Sequence, residues 1–571
     1  MTWSRIPWPR IPWLAVPAAG LVGLVYLAPL FLVLVDSVTD AAGNPTLGGY
    51  AALLTDPSFR TIILRTLRLA ATVTALSLLL GYPLAYTLGR LRGRLLPVLM
   101  LAVTTPFFTS VLIRSYAWVV ILGNNGVVNR LLAASGLTDG PVKLVYNELG
   151  VVIGMTQVQL PLMVLTLFGT MRRIDGALLR AARSLGASPA GAFWTVFRPL
   201  SASGVVAGCS LVFASTLGTF VTPAMLGGPG QYMLAQAIEV RVAQLNEGHV
   251  AAAQSLLLLL AVVVLIVAFR GPLGLSLGSE RGGPAPRRSR AAARALPPAL
   301  RAAMAPFDAA LSALRRPLLA AWSAVVLFYI ALPILVVIPL GFSNASYLRF
   351  PPPGFSLRWF ESYLGDADWL ASTAFSLAVA AAAATLAVIV GTTAAVPLTR
   401  GRGAILRGLH LLFISPLIVP HIVISVALFF VLARNDQVGN PLAFVLTYAL
   451  FGLPYVVLVM VAAFSGFDIL LERAAAALGA TPARVWLSVR LPLLRPALAS
   501  AFVFAFLAGF DDLVVSLFLS APGRVTLPMR MWDDIQMEIS PRIAAVAVVF
   551  FTAAAVMLGV VRLSQRLRRP A

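Results

Sequence analysis

Long, uninterrupted apolar segments recur along the whole chain and constrain it more than any other feature. A helix needs about 20 apolar residues to cross the hydrocarbon core of a bilayer. Runs of that order lie near Trp13–Val35, Leu69–Leu88, Leu95–Leu122, Leu149–Thr170, Gly204–Leu226 and Val250–Phe269. A second set lies near Leu318–Phe342, Leu370–Leu398, Gly408–Ala433, Leu442–Phe467, Ala497–Leu519 and Ile543–Val561. Apolar length therefore predicts about twelve spans. Barrel strands would alternate polar and apolar residues over about ten positions; these runs are continuous and longer. The expected fold is an all-α, polytopic membrane protein of two homologous halves, 1–270 and 318–571, joined by a linker at 271–317. With 59% hydrophobic residues and a mean hydropathy of +0.91, the chain has no room for a sizeable soluble enzyme domain.

The net charge is +22, nearly all from arginine. The arginines do not form one basic face, which excludes a nucleic-acid partner; they cluster between apolar runs, as the positive-inside rule expects. Arg5 and Arg10 precede the first span, Arg90, Arg92 and Arg94 follow the second, and Arg172, Arg173, Arg180 and Arg183 follow the fourth. Arg400, Arg402 and Arg407, then Arg473, Arg484 and Arg490, repeat this in the second half, and Arg562, Arg566, Arg568 and Arg569 close the chain. If the spans alternate, all these segments share one side, and both termini are expected to be cytoplasmic. Most acids lie opposite, including Asp36, Asp40, Asp56, Glu361, Asp366, Asp368, Asp533, Asp534 and Glu538. The basic N-terminus without a small-residue cleavage site reads as a retained first span. The linker carries Arg287, Arg288, Arg290, Arg294, Arg301, Arg315 and Arg316. It reads as a solvated cytoplasmic tether with some helix near its end, or as a contact for anionic lipid heads. The single cysteine, Cys209, allows no internal disulfide.

One cytoplasmic segment occurs twice. Leu179-Arg-Ala-Ala-Arg-Ser-Leu-Gly-Ala-Ser-Pro189 is followed by Phe193, Val196 and Pro199; Glu472-Arg-Ala-Ala-Ala-Ala-Leu-Gly-Ala-Thr-Pro482 is followed by Trp486, Val489 and Pro492. The frame is constant, since 479 − 186 and 492 − 199 both equal 293. Ala181, Ala182 and Leu185, like Ala474, Ala475 and Leu478, recur at helical spacing. Gly186 and Gly479 then stop the helix, and Ser188-Pro189 and Thr481-Pro482 read as an N-cap with proline at the first helical position. Each segment therefore predicts helix, tight turn, helix. Its small residues suit a closely approaching protein; an ordinary surface helix would not explain the duplicated glycine and proline.

This segment resembles the EAA loop of ABC importer permeases, the coupling helix that fits a groove on a cytoplasmic ATPase. The match covers Ala181, Ala182, Leu185, Gly186, Ala187 and Pro199, then Ala474, Ala475, Leu478, Gly479, Ala480, Leu491 and Pro492. Arg180 and Arg473 stand where that pattern has glutamate, Arg198 replaces a leucine, and Glu472 lies one residue early. The chain has no G-x-x-x-x-G-K-[ST] phosphate loop. The resemblance thus implies a transport subunit rather than an enzyme, with no directly bound cofactor. ATP would be used by two copies of a separate ATPase. A periplasmic or surface solute-binding protein and the bilayer of the bacterial inner membrane would be the other partners.

Two further regions sharpen the resemblance toward the spermidine/putrescine permease pair, within a branch that also serves iron, thiamine, opines and aminoethylphosphonate. In the first half they are Pro106-Phe-Phe-Thr-Ser110, Arg114-Ser-Tyr-Ala-Trp118, Gly123-Asn-Asn-Gly126 and Thr222-Pro-Ala-Met-Leu-Gly-Gly228; in the second, Phe510-Asp-Asp-Leu-Val-Val515, Pro522-Gly523 and Thr526-Leu-Pro528. Asp511 and Asp512 are ionisable groups within a span, where charge is costly and faces a path or a partner. They suit a path for a cationic solute, or they pair with Arg114 or hold a helix break. His421, in Pro416-Leu-Ile-Val-Pro-His421, stands where polyamine permeases carry an acid, and reads as a path residue or a packing residue. Trp118, Tyr116, Phe107 and Phe108 read as cation–π contacts along a path or as bundle core. A secondary transporter is the other class that combines about twelve spans with internal repeats.

Overall fold

The computed structural model describes residues 12–39, 44–268, 298–401, 403–537 and 540–553. The principal helices of the first half are α1 (Trp13–Ser37), α2 (Pro57–Arg90), α3 (Leu95–Thr104), α4 (Val111–Leu122), α5 (Glu148–Arg172), α6 (Gly176–Ser184), α7 (Pro189–Leu217), α8 (Val221–Leu226), α9 (Leu234–Ala243) and α10 (Gly248–Ala268). The second half continues with α11 (Pro298–Gly341), α12 (Ala367–Arg400), α13 (Ala404–Ile414), α14 (His421–Arg434), α15 (Pro441–Ser465), α16 (Ile469–Ala477), α17 (Pro482–Phe510), α18 (Val514–Leu519), α19 (Leu527–Met537) and α20 (Arg542–Ala553). The fold is an all-α, polytopic membrane protein.

Among the described residues, ten helices are long and apolar enough to span, or eleven if one bent pair counts as a span. This corrects the expectation of about twelve continuous spans in four places. The run Leu95–Leu122 is not one helix: α3 ends at Thr104, a tight turn carries Pro106, and α4 restarts with the Ser110 side chain accepting from Leu112 N. The run Gly408–Ala433 bends by 94° between Ala404–Leu417 and His421–Arg434. Pro416 and Pro420 flank that bend and cannot donate to a helical ladder. The runs Gly204–Leu226 and Ala497–Leu519 break after Leu217 and Phe510. Beyond Ala553, the run Ile543–Val561 lies outside the described residues, as do Arg5, Arg10, the last four arginines named above and linker positions 271–297. Helix α11 begins at Pro298, so the end of the linker is helical and continuous with the following span.

The repeat extends through the structure. Helices α5 to α8 and their counterparts α15 to α18 start 293 residues apart (441 − 148, 514 − 221), whereas α2 and α12 start 310 apart (367 − 57). The difference, 310 − 293 = 17 residues, is extra chain between α4 and α5. Asn129 pins that loop, donating to Gly123 O and Val142 O and accepting from Val142 N. Equivalent helix starts are capped alike. Asp56 accepts from Ser58 N and Asp366 from Asp368 N; Asn147 accepts from Gly150 N and Asn440 from Leu442 N.

The halves are strapped together. Helix α1 packs against α12, α13, α14 and α15 of the second half, and α11 packs against α2 to α5 of the first. Tyr329 on α11 donates to Ile153 O at 2.6 Å, and Gln157 donates to Ile330 O at 2.9 Å. Arg434 closes the other strap on Asp36 at 2.7 Å, beside His249 Nδ1, 3.0 Å from Asp36 O. Within each half, small residues allow close approach, as bilayer packing requires. A Cβ on Gly391 would lie 2.7 Å from Val456 Cγ1, and one on Gly452 would lie 2.8 Å from Ala505 Cβ. Exposed Leu64, Leu79, Val264, Phe328 and Ile389 form the lipid-facing surface of the long helices.

Gly218 packs closely against the other half: an added Cβ would sit 2.5 Å from Pro420 Cβ and 3.1 Å from Pro420 Cα. Gly218→Val is expected to cost about 1–3 kcal/mol through overpacking. The check is the temperature at which purified protein loses its monodisperse gel-filtration peak, with Gly20→Val, which meets nothing within 4 Å, as control.

Candidate functional site

Two places concentrate chemistry: the duplicated loops, and the point where the broken helices meet.

In each loop a helix ends on a glycine in the left-handed region, Gly186 at φ +86° and Gly479 at φ +85°. Gly186 N donates to Arg183 O and Ala187 N to Ala182 O; Gly479 N and Ala480 N donate to Ala476 O and Ala475 O in the same way. This closes the helix C-terminus and turns the chain sharply. Ser188 then accepts from Gly191 N, and Thr481 from Arg484 N, to start the next helix. Both following helices contain a wide turn, Phe193–Phe197 or Trp486–Arg490. Pro199 and Pro492 follow it, lacking the N–H a regular ladder requires. Leu185 and Leu478 crown the turns, each 89% exposed. Ala181 and Ala474 are exposed beside them, and Ala182, Ala187, Ala475 and Ala480 are half-buried.

The anchors beneath the loops differ, and sequence reasoning missed this. Glu472 lies between two arginines. Arg400 donates to its carboxylate at 2.6 and 3.0 Å, and Arg490 through Nε and a terminal nitrogen, both at 2.7 Å. These side chains are largely buried, with 11% of Glu472 and 3% of Arg490 exposed. Burial pushes the Glu472 carboxyl up, but hydrogen bonds and charge from the two arginines outweigh it and hold the group below its ordinary 4.5. The early glutamate was visible in the sequence, but its partner Arg400 is 72 residues away, with no spacing to reveal it.

At the other end of α17 the chain breaks at Asp511 and Asp512. That helix is 29 residues long, placing the break roughly 43 Å from its start in the loop. Val111 N, at the start of α4 in the other half, donates to Asp511 Oδ2 at 3.4 Å, and Arg114, one turn further along α4, is buried. Asp512 caps α18, accepting from Val515 N at 2.7 Å, and its other oxygen lies 2.9 Å from His421 Nδ1. His421 stacks on Phe451 with centroids 4.2 Å apart. The tertiary structure thus brings Asp511, Asp512 and His421 together, although His421 is 91 residues from Asp512. It places Tyr116 and Trp118 elsewhere, inside the packed core. Tyr116 donates to Ser540 O at 2.9 Å, and Trp118 lies against Tyr329 at 5.4 Å. Gly218 and Thr219 are the 293-residue partners of the two acids, so the carboxylates occur on one side only.

The family described as binding-protein-dependent transport system inner membrane component matches residues 74–270 and again residues 387–569, together more than half of the chain. The chain belongs to that family. It is a multi-pass permease in which two such units are fused, which sets aside the secondary-transporter alternative. The spermidine/putrescine transport system permease protein PotB of Salmonella typhimurium (strain LT2) is 33% identical over 254 residues, 44% of this chain and 88% of that protein. The putrescine transport system permease protein PotI of Escherichia coli (strain K12) is 34% identical over 248 residues, 41% of this chain and 88% of that protein. A bacterial alginate ABC transporter, in complex with an alginate pentasaccharide-bound periplasmic protein, is 17% identical with a TM-score of 0.39, covering 45% of this permease and 91% of that chain.

A carboxyl held low in the folded state contributes stability that is full above its ordinary value and lost as pH falls through the folded value. The Glu472 anchor is therefore expected to hold at neutral pH and to release as pH drops below 4.5. Nitroxide labels at Ser488→Cys and at its repeat partner Thr195→Cys, with Cys209→Ser, provide the check. Acid should mobilise the label at 488 more than the label at 195.

Proposed function

We propose that this permease is the membrane subunit of an ABC importer, driven by two copies of a separate ATPase and loaded by a solute-binding protein outside the cell. The observation that carries the reading is the pair of loops with one backbone geometry, each presenting a bare leucine, Leu185 or Leu478, beside a left-handed glycine. A membrane-facing helix would bury such a leucine in lipid; a coupling loop offers it to a partner. Ala181, Ala182, Ala187, Ala474, Ala475 and Ala480 would let the ATPase surface approach closely, and Pro199 and Pro492 would direct the following helices into the bilayer. With the loops and arginine clusters on one side, both termini are cytoplasmic. ATP is consumed on the partner, and no cofactor is held by this chain. In transport, ATP-driven closure of the ATPases moves the loops and exposes the central junction alternately to each side.

The proposed solute is a polyamine or another small cation. PotB and PotI are polyamine permeases by description, and Asp511 and Asp512 would offer the path negative charge with His421 at its edge. Tyr116 and Trp118 would act behind this lining, by packing. A second reading favours a singly charged or zwitterionic solute, such as thiamine or aminoethylphosphonate. Asp511 already accepts from Val111 N and Asp512 from Val515 N, and Asp512 lies 2.9 Å from His421 Nδ1, so both acids have partners before a solute arrives. Stimulation of ATP hydrolysis by the binding protein loaded in turn with putrescine, spermidine, thiamine, ferric iron or aminoethylphosphonate would separate these readings.

Gly186→Val or Gly479→Val would force a β-branched residue to φ near +85°, at a cost of about 1–2 kcal/mol. Uptake should fall while ATP hydrolysis persists, measured in proteoliposomes; normal uptake in both variants would remove the coupling role. Asp511→Asn with Asp512→Asn should reduce uptake of a cation at unchanged assembly, read as putrescine-loaded binding-protein stimulation of ATP hydrolysis. Unchanged stimulation would return both acids to helix capping.

A further inference from the structure

The two loops share a backbone but not a foundation. In the second half three charged side chains, Glu472, Arg400 and Arg490, lie under the loop. At the 293-residue offset Glu472 corresponds to Leu179 and Arg490 to Phe197; at the 310-residue offset Arg400 corresponds to Arg90. The carboxylate and one arginine have become apolar, and the remaining arginine lies on aromatic faces. Arg90 lies 4.2 Å from the Tyr86 ring centroid and 5.4 Å from that of Phe197. Phe193 joins this box edge-on to Tyr86 at 5.6 Å and stacked on Phe197 at 5.8 Å, and Leu179 packs against the same apolar cluster.

We propose that Glu472 is a positioning residue for the second loop alone, and that the two ATPase copies therefore meet unequal platforms: one held by a carboxylate clamp, the other by an aromatic box. The inference rests on the coupling-loop reading for its consequence, but the mechanical asymmetry stands on the geometry. Paired bidentate contacts fix both the distance and the orientation of the groups they join. Neutralising Glu472 takes from Arg490, 3% exposed, its bidentate carboxylate contact while leaving it 4.9 Å from the Trp486 ring centroid. In the first loop Leu179 stands at the matching place, so that position has no carboxylate to neutralise. Apolar packing replaces buried ion pairs at little net cost, so the two foundations serve the same positioning task and should be exchangeable.

The test uses the full chain in nanodiscs, with Cys209→Ser and one nitroxide at Ser488→Cys or Thr195→Cys. Glu472→Gln should mobilise the label at 488 and leave that at 195 unchanged. Glu472→Leu with Arg490→Phe, which copies Leu179 and Phe197, should restore order at 488. In parallel, Leu478→Cys and Leu185→Cys are cross-linked to the ATPase that copurifies with the wild-type chain. Glu472→Gln should reduce the Leu478→Cys yield about tenfold or more and spare Leu185→Cys, and the double variant should recover it. Equal effects on both loops, no effect on either, or a double variant no better than Glu472→Gln would overturn the proposal. Absence of any cross-link from either loop in the otherwise native chain would instead sink the coupling reading, with the nitroxide comparison still deciding the asymmetry.

Discussion

In hydrocarbon an unpaired peptide group has no water to turn to, so every break in a spanning helix must be repaired from within the protein. This permease breaks helices at α3–α4, α7–α8, α13–α14 and α17–α18, and the repairs are visible. Ser110 caps α4, Asp512 caps α18, and Asp511 accepts from the first N–H of α4 across the boundary between halves. Pro106, Pro416 and Pro420 remove donors where the ladder stops. The acids that mend the backbone are also the charged groups at the junction. Both acids sit at helix ends because a helix end is the place in a membrane where a carboxylate finds N–H partners.

Fusion of two units does not make two separate bodies. The first helix of each half lies on the other half, held by Tyr329 and Gln157 on one side and by Asp36 and Arg434 on the other. Motion of one half must therefore carry a helix of its neighbour, and the contact of Gly218 with Pro420 has little slack. The symmetry is also incomplete. The longer α4–α5 loop, the one-sided acids and the different loop anchors all distinguish the halves. The last two keep the backbone frame and change side chains, whereas the first inserts 17 residues and shifts the frame from 310 to 293.

Much of this was legible in the sequence. Apolar length revealed the membrane class, and the constant 293-residue frame of Gly186/Gly479 and Pro199/Pro492 revealed the repeat and the helix–turn–helix loops. These features are local: helical period, glycine at a left-handed position and capping residues act within a few neighbours. The breaks within the runs Leu95–Leu122 and Gly408–Ala433 were only half visible. Proline announces that a ladder is interrupted, but not whether the chain kinks or restarts in a new direction.

By itself the sequence determined an all-helical membrane protein with two copies of one unit, a pair of exposed glycine-ended loops, and acids placed within a span. Each follows from forces acting between near neighbours or between the chain and its solvent. Only the tertiary structure decided that His421 faces Asp512, that Tyr116 and Trp118 are core, that the first helices cross over, and that Glu472 is gripped by Arg400 and Arg490. Those contacts join residues on different helices, brought together by packing that no local period encodes.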